Sequence, residues 1–290
     1  MKLIKPSVEF YGAAPTDYES AIKFIEMAGR TCYKSEDKIT ETSAEGFVKK
    51  LINAGHLAMI EHSNFVVRTR RMDTSETMLQ GRVGKYLTVL DTRDYTYIGG
   101  NLAAWFQLIK RVHYRTEFIP FVKQWGKLFD ITTDAYSGDW EICPHNEIPK
   151  ELHRYSAKFI CNRAVSHELV RHRPCSFAQE SQRYVNYGGK DMEFIEPAGF
   201  DMWSYTHSKL FYDSYATAEN IYKKLLDPGG FTQGLKPQQA RAVLPNAIKT
   251  EIVVTADIAE WKHIRALRTS KAADPEMQRV MSMMPWNKII

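Results

Sequence analysis

Two patterns of apolar positions alternate along the chain, one with strand spacing and one with helical spacing. Val8 to Tyr11 reads as a short strand closed by Gly12 and Pro15. Asp17 is placed to cap a helix with Ile22, Ile25, Met27 and Ala28 as its inward stripe. Thr42 or Ser43 caps a second helix, with Phe47, Val48, Leu51 and Ile52 turned inward and Gly55 ending it. Phe65-Val66-Val67 is a strand. The stretch from about 72 to 150 is less regular. It begins polar, contains a helix from Asn101 to about Arg115, and ends in the loop Ser137 to Pro149. It reads as an insertion within one domain spanning 1–290.

Tyr155 to Cys161 is the next strand, and Asn162 caps a helix running to about Arg171. Pro174 disfavours further helix, so irregular chain or a short helix is expected to Asn186. Trp203 to Asp227 is a long amphipathic helix with Leu210, Phe211, Tyr215, Ala218, Ile221, Tyr222 and Leu225 on one stripe, ended by Pro228-Gly229-Gly230. Pro237 opens a helix that Pro245 stops after Leu244. Ile252-Val253-Val254 is a strand. Asp257 starts a helix through Trp261, Ile264 and Leu267, and a last helix covers roughly Asp274 to Met284. The expected class is α+β.

Composition narrows the function classes only slightly. Hydrophobic residues make up 44% and charged residues 25% of 290, as in ordinary globular proteins. The net charge of +5 is mild and does not by itself imply nucleic acid. No charge-free stretch is long enough to span a membrane. Cys32, Cys143, Cys161 and Cys175 form no CxxC pair, and their spacing suggests a reducing cytoplasm rather than a disulfide framework or zinc knuckle.

The densest chemistry lies between His167 and Tyr184, where three arginines, two histidines and two serines fall within eighteen residues. A helix there ends in adjacent cations and hands over to a hydroxyl-rich segment. Arginine offers planar, multidentate donors for phosphate or a ring carbonyl, and serine a small donor beside the same anion. The alternative is a solvated basic helix end complementing the helix dipole. A zinc site of the HExxH type does not fit. His172 follows His167 by five positions, a rotation of ~500° at about 100° per residue, so the two rings point apart. No metal site is expected. A nucleic-acid-binding module using the Arg171–Arg183 segment is the other function class, and it needs a basic stripe with exposed aromatics.

Arg171-His172-Arg173, Ser176, Ser181, Arg183 and Tyr184 match every fixed position of the motif RHRxxSxxxxSxR, often followed by Tyr. In this the chain resembles the flavin-dependent thymidylate synthases. Gly55-His56 with Glu61-His62 is similar to that family's upstream histidine segment. Ala240-Arg241-Ala242-Val243-Leu244-Pro245 resembles its substrate-arginine helix, and Trp261 to Arg268 its late helix. The resemblance covers most of 1–72 and 150–290. It departs at Ala178-Gln179, where some members have Asn-Glu, and at His167-Glu168, where others have Arg-Gln. Ala58 and Asp257 also stand where some members have other polar residues.

The resemblance implies helices packed on a mostly antiparallel sheet, without a Rossmann site, in agreement with the absence of GxGxxG. It implies reductive methylation of dUMP to dTMP, with methylenetetrahydrofolate as carbon donor and NADPH as hydride source through FAD. It implies a homotetramer with sites shared between chains, no nucleic-acid or membrane partner, and a cytoplasmic location. Arg268 takes the catalytic place at the pyrimidine. His56, Glu61, Arg171, His172, Arg173, Gln179 and His263 are assigned to the flavin. Glu168, Arg171, Gln179, Glu180, Ser181, Gln182, Arg183, Arg241 and Arg268 are assigned to the nucleotide. Cys175 could be a nucleophile with its pKa lowered by flanking arginines, or a small buried side chain; the variable motif position favours the second.

Overall fold

A computed structural model of the chain describes residues 1–70, 86–111, 118–132, 139–229 and 233–290. The expectations placed on Arg115, Ser137 and Gly230 lie outside the described residues. Strand β1 (Lys2–Ile4) leads to β2 (Ser7–Ala13), helix α1 (Tyr18–Tyr33) and helix α2 (Ser43–Asn53). Strands β3 (Phe65–Arg70), β4 (Leu87–Asp91) and β5 (Tyr95–Gly100) are followed by helices α3 (Leu102–Arg111) and α4 (Ile119–Phe129) and by the short β6 (Glu141–Ile142). Then come β7 (Arg154–Asn162), α5 (Arg163–Leu169), β8 (Ser176–Gln179), β9 (Glu193–Ile195) and α6 (Tyr205–Leu226). The chain closes with α7 (Pro237–Ala240), β10 (Lys249–Asp257), α8 (Ile258–Arg268) and α9 (Pro275–Ser282). The fold is α+β, and no described helix is long and apolar enough to cross a membrane.

The central sheet has the order β2-β7-β10-β8 and is antiparallel throughout. Its strands alternate as period-two geometry requires. Ile252, Val254 and Ala256 of β10 and Ala157, Phe159 and Cys161 of β7 face Trp261 and Ile264 of α8 and Met277, Val280 and Met281 of α9. Val253 and Ala178 point the other way, onto Ala28 and Cys32 of α1. Burying each of these large side chains contributes roughly 1.5–3 kcal/mol, so α8 and α9 are firmly seated. Two helix caps expected from the sequence are present. The Asp17 carboxylate accepts from the Ser20 amide at 2.9 Å, and the Asn162 side chain from the Val165 amide at 2.8 Å.

A second antiparallel sheet, β4-β5-β3-β6, lies outside the first. Within the less regular stretch 72–150 the expected helix is present as α3, and the structure adds the strands β4, β5 and β6 and the helix α4. Tyr95-Thr96-Tyr97-Ile98 alternates weakly because β5 is almost entirely buried, a pattern that hides its period. Phe65, Trp105, Phe121 and Trp125 form one core with Ile22 and Ile25 of α1 and Val48 and Leu51 of α2. Trp105 is anchored by its ring N–H, which donates to the Phe65 carbonyl at 3.1 Å. Gly100 cannot carry a side chain: a Cβ there meets Leu87 Cδ2 and the Tyr86 carbonyl at 2.5 Å.

Further corrections concern faces and boundaries. Segment Ser176–Gln179 is not helix or irregular chain but the edge strand β8, paired with β10 through Val253↔Ala178. In α1 the buried position is Glu26 rather than Met27; its carboxylate accepts from Arg30 at 2.9 Å and from Ser43 at 2.8 Å. On α6, Leu210 and Ile221 are exposed, while Tyr215, Glu219 and Tyr222 form the buried stripe. The helix from Pro237 is only four residues long before Arg241–Val243 tightens into a 3-10 turn.

Candidate active site

Helix α5 ends soon after it begins. The His172 amide donates to the Leu169 carbonyl at 3.0 Å and the Cys175 amide to the His172 carbonyl at 3.0 Å, so the chain turns twice and enters β8. These turns present Arg171 and Arg173 outward and bury His172. Helix α8 approaches from the far end of β10, capped by Asp257, whose carboxylate accepts from the Glu260 amide at 2.8 Å. Arg268, its last residue, reaches across to α5. Its Nη1 donates to the Glu168 carboxylate at 2.5 Å and its Nη2 to the Glu168 carbonyl at 3.1 Å. Its Nε donates to Nε2 of His172 at 3.0 Å.

That last bond fixes the histidine. Nε2 accepts, so the ring proton sits on Nδ1, which donates to the Glu260 carboxylate at 2.9 Å. Burial lowers the His172 pKa; Glu260 opposes this, and the Arg268 charge adds to the lowering. His172 is therefore a neutral imidazole locked between an anion and a cation. The His263 ring stands edge-on to it at 5.7 Å. Ligand-type atoms of His172, Glu260 and His263 lie within 4.8 Å of one another. A cation there competes with Arg268, because neither ring nitrogen of His172 has a free lone pair.

The rest of the motif is arranged along β8 and the loop after it. The Gln179 amide donates to Ser166 Oγ at 2.8 Å and Thr250 Oγ1 at 3.3 Å, which ties β8 to α5. The Ser181 amide donates to the Cys32 carbonyl at 2.9 Å, and its hydroxyl accepts from the Arg183 amide at 3.3 Å. Glu180 is buried, with Tyr187 donating to it at 2.7 Å and the Lys249 ammonium in an ion pair with it at 3.3 Å, so its side chain turns into the protein. Gln182 is buried, while Arg183 is exposed and lies over the Tyr184 ring.

Among the described residues no carboxylate lies within ion-pair distance of Arg171, Arg173, Arg183 or Arg241. Arg163 also lacks one; it touches His167 at 3.0 Å, and burial followed by the nearby Arg241 charge lowers its pKa. Such a set of uncompensated guanidiniums suits a phosphorylated ligand. His56 and Ala58 are exposed on the turn before β3, and Asp257 serves as a helix cap. Glu61 packs beside β8, where burial raises its pKa and Ser176 and Arg154 pull it back. No hydrogen bond or ion pair among the described residues joins His56 or Glu61 to the Arg268 group. The expectation that arginines lower the Cys175 pKa is corrected: the thiol is buried in the α8–α9 core, and desolvation pushes it strongly up.

Glu260 and Arg154 were not anticipated from the sequence. Glu260 had a signal, since it sits three residues after the Asp257 cap and three before His263, on one helix face. Arg154 had none.

A model of the family described as "Thymidylate synthase complementing protein" matches residues 16–83 and 145–286. A flavin-dependent thymidylate synthase of Pyrococcus furiosus is 30% identical over 172 residues, covering 50% of this chain and 66% of that one. One from Mycolicibacterium vanbaalenii is 25% identical over 277 residues, covering 91% and 74%. One from Thermococcus onnurineus is 33% identical over 129 residues, covering 41% and 47%. The chain spans about half the length of several curated relatives it matches. Among solved structures, a UMP/dUMP methylase from Streptomyces cacaoi bound with 5-Br dUMP aligns over 100% of this chain and 93% of its own, with a TM-score of 0.44 and 16% identity.

Proposed function

The chain belongs to the thymidylate synthase complementing protein family, whose model spans residues 16–83 and 145–286, and from that premise we propose that it converts dUMP to dTMP by reductive methylation. Methylenetetrahydrofolate is the carbon donor, and NADPH the reductant. FAD, when bound, relays the hydride. The observation that carries this proposal is the Arg268 guanidinium, held by Glu168 and His172 at the end of the RHR turn.

Arg268 is prepositioned and needs no reorganisation, the condition under which a fixed charge best stabilises negative charge developing on a uracil ring. Glu168 and His172 set its orientation. Arg183 and Arg241, free of acidic partners among the described residues, hold the nucleotide phosphate. Ser181 and the backbone around Glu180 and Gln182 line the same anion, with Gln179 at the border between nucleotide and flavin. The exposed guanidiniums of Arg171 and Arg173 fit a cofactor that carries two phosphates. His56, Glu61 and His263 complete that site. Among the described residues His56 has no side-chain hydrogen-bond partner, which fits a homotetramer whose sites are shared between copies. Four unpaired cysteines support a cytoplasmic setting. Balanced charge disfavours nucleic acid as a partner.

The test is direct. Purified protein is expected to be yellow or to become so with FAD, to release flavin on denaturation, and to form dTMP from dUMP only with both folate and reductant. A protein that takes up no FAD, or turns over without folate, overturns the proposal.

A further inference from the structure

The turn after α5 and helix α8 bring together three groups that can each offer one ligand atom to a cation: His172, Glu260 and His263. These atoms all lie within 4.8 Å of one another. Glu260 and His263 stand three residues apart on α8, so both project from one face, the Glu-x-x-His spacing with which helices hold metals in bundle cores. His172 closes the set from the other side. Its Nδ1 lies 2.9 Å from a Glu260 oxygen, and its ring meets that of His263 at 71° with centroids 5.7 Å apart. His172 is buried and the Glu260 side chain is 11% exposed, so two ligands are held in place. His263 is exposed and leaves an entry path from solvent. Burial keeps the His172 ring neutral, the form that ligates a metal.

Two imidazoles and a carboxylate are the donor set of zinc and its first-row neighbours rather than of magnesium or calcium, and three protein ligands leave a position for water. Such an ion cannot coexist with the present hydrogen bonds of His172. If it takes Nδ1, the ring proton moves through water to Nε2, which then donates and no longer accepts from Arg268 Nε, now 3.0 Å away. If it takes Nε2, it displaces Arg268 directly and the Nδ1 proton stays in place. In both cases Arg268 loses the ring and keeps only Glu168, through the carboxylate and the carbonyl.

We propose that His172, Glu260 and His263 form an inhibitory site for a divalent transition-metal ion, and that the ion and Arg268 compete for the His172 ring. When filled, the site frees the guanidinium from the hold that orients it. Metal binding is a property of the folded chain, whereas its bearing on turnover rests on the function proposed above.

Cobalt(II) added to flavin-free, chelator-treated protein tests the site, because its visible absorption reports coordination directly. The unsubstituted chain is expected to bind one equivalent and develop these bands, and zinc to remove them by displacement. His263→Ala, at an exposed position, and Glu260→Gln should each weaken cobalt binding by at least ~10-fold. Arg268→Ala should tighten it by ~10-fold, because the competitor for the ring is gone. His207→Ala, an exposed histidine on α6, should leave it unchanged. The absence of cobalt bands overturns the site, as does binding that survives in His263→Ala or falls equally in His207→Ala. An affinity unmoved in Arg268→Ala overturns the competition. For turnover, zinc-loaded protein given FAD, dUMP, folate and reductant should run at least ~10-fold slower than metal-free protein, and a chelator should restore the rate. Equal rates overturn the inhibitory role. If the metal-free chain binds no FAD or forms no dTMP, the proposed function fails and the cobalt result still decides the site.

Discussion

Replacing Arg268 by alanine removes three donated hydrogen bonds at once: two to Glu168 and one to His172. The Glu168 side chain is 30% exposed, so water recovers part of its loss, whereas His172 is 5% exposed and its Nε2 is left without a donor. Hydrogen bonds to charged groups contribute roughly 1.5–3 kcal/mol each, and partial exposure at Glu168 discounts that pair. The expected stability cost is therefore about 2–4 kcal/mol, most of it from the buried His172 bond, which is below the ~5–15 kcal/mol stability of a folded domain. Turnover of dUMP should fall by ~10²–10³ in the folded variant, the usual cost of one preorganised donor facing developing charge. The His172 ring reports the same loss independently. The Arg268 charge helps to depress its pKa, and Glu260 remains, so removing the charge must raise it. Arg268→Lys keeps the charge but cannot serve Glu168 and His172 with one fork, and should recover only part of the rate. The assay is dTMP formation by variants shown to be folded and FAD-loaded, with the His172 titration followed by NMR. Near-normal turnover of Arg268→Ala refutes the catalytic role, and an unmoved titration refutes the coupling.

Cys175→Ala is expected to stay within about tenfold of full activity, because the thiol is a buried packing group; a loss of several orders of magnitude with ligands still bound shows a cysteine nucleophile instead. Saturating dUMP should raise the melting temperature of FAD-loaded protein, by roughly 2.7 kcal/mol of stabilisation at a hundredfold excess over its dissociation constant; no shift counts against dUMP as substrate. Glu251 gives an acid-stability test. Burial raises its pKa, but Lys158, Lys249 and Lys34 outweigh that and lower it from 4.5 to about 2. Its contribution, of about 3 kcal/mol, is thus complete above pH 4.5 and lost as pH falls toward 2. Urea unfolding of Glu251→Gln should show reduced stability at neutral pH, with the gap to the unsubstituted chain closing across that window; a gap that is constant with pH contradicts the lysine cluster.

Helices were legible where their stripes and caps were both present. Asp17 and Asn162 cap α1 and α5 through their side chains, and both were visible as polar residues just ahead of apolar periodicity. The central strands at Phe65, Tyr155 and Ile252 were legible as apolar runs, but two others were not: β5 carries its period weakly and ends in two glycines, and β8 begins two residues after a proline in a segment whose charges suggested a loop. Propensity could not identify β8, because its pairing with Ile252–Thr255 of β10 is a contact more than seventy residues distant. The stripe on α6 failed for a different reason. Helical spacing identifies a face but not its exact edges: Tyr215 and Tyr222 are buried as expected, whereas Leu210 and Ile221 are exposed and Glu219 is buried beside the two tyrosines.

The site divides along the same line. Residues inside a motif could be named because fixed spacing carries information that composition lacks, and Arg268, Glu168 and His172 do meet in space. What spacing could not supply was direction. Glu180 lies between Gln179 and Ser181 in the motif, yet its carboxylate turns inward to Lys249 and Tyr187, while Gln179 turns to Ser166 on α5. Period-two alternation at the end of β8 forces neighbours onto opposite faces, so adjacent motif residues cannot all point their side chains at one ligand. The same geometry explains why Arg154 escaped notice: a charged residue opening a strand reads as solvated, and only pairing of β7 with β10 puts it under Ser176. The motif therefore fixes which residue types stand along α5 and β8. The buried groups that orient them belong to the sheet, and they emerge only when its strands are brought into register.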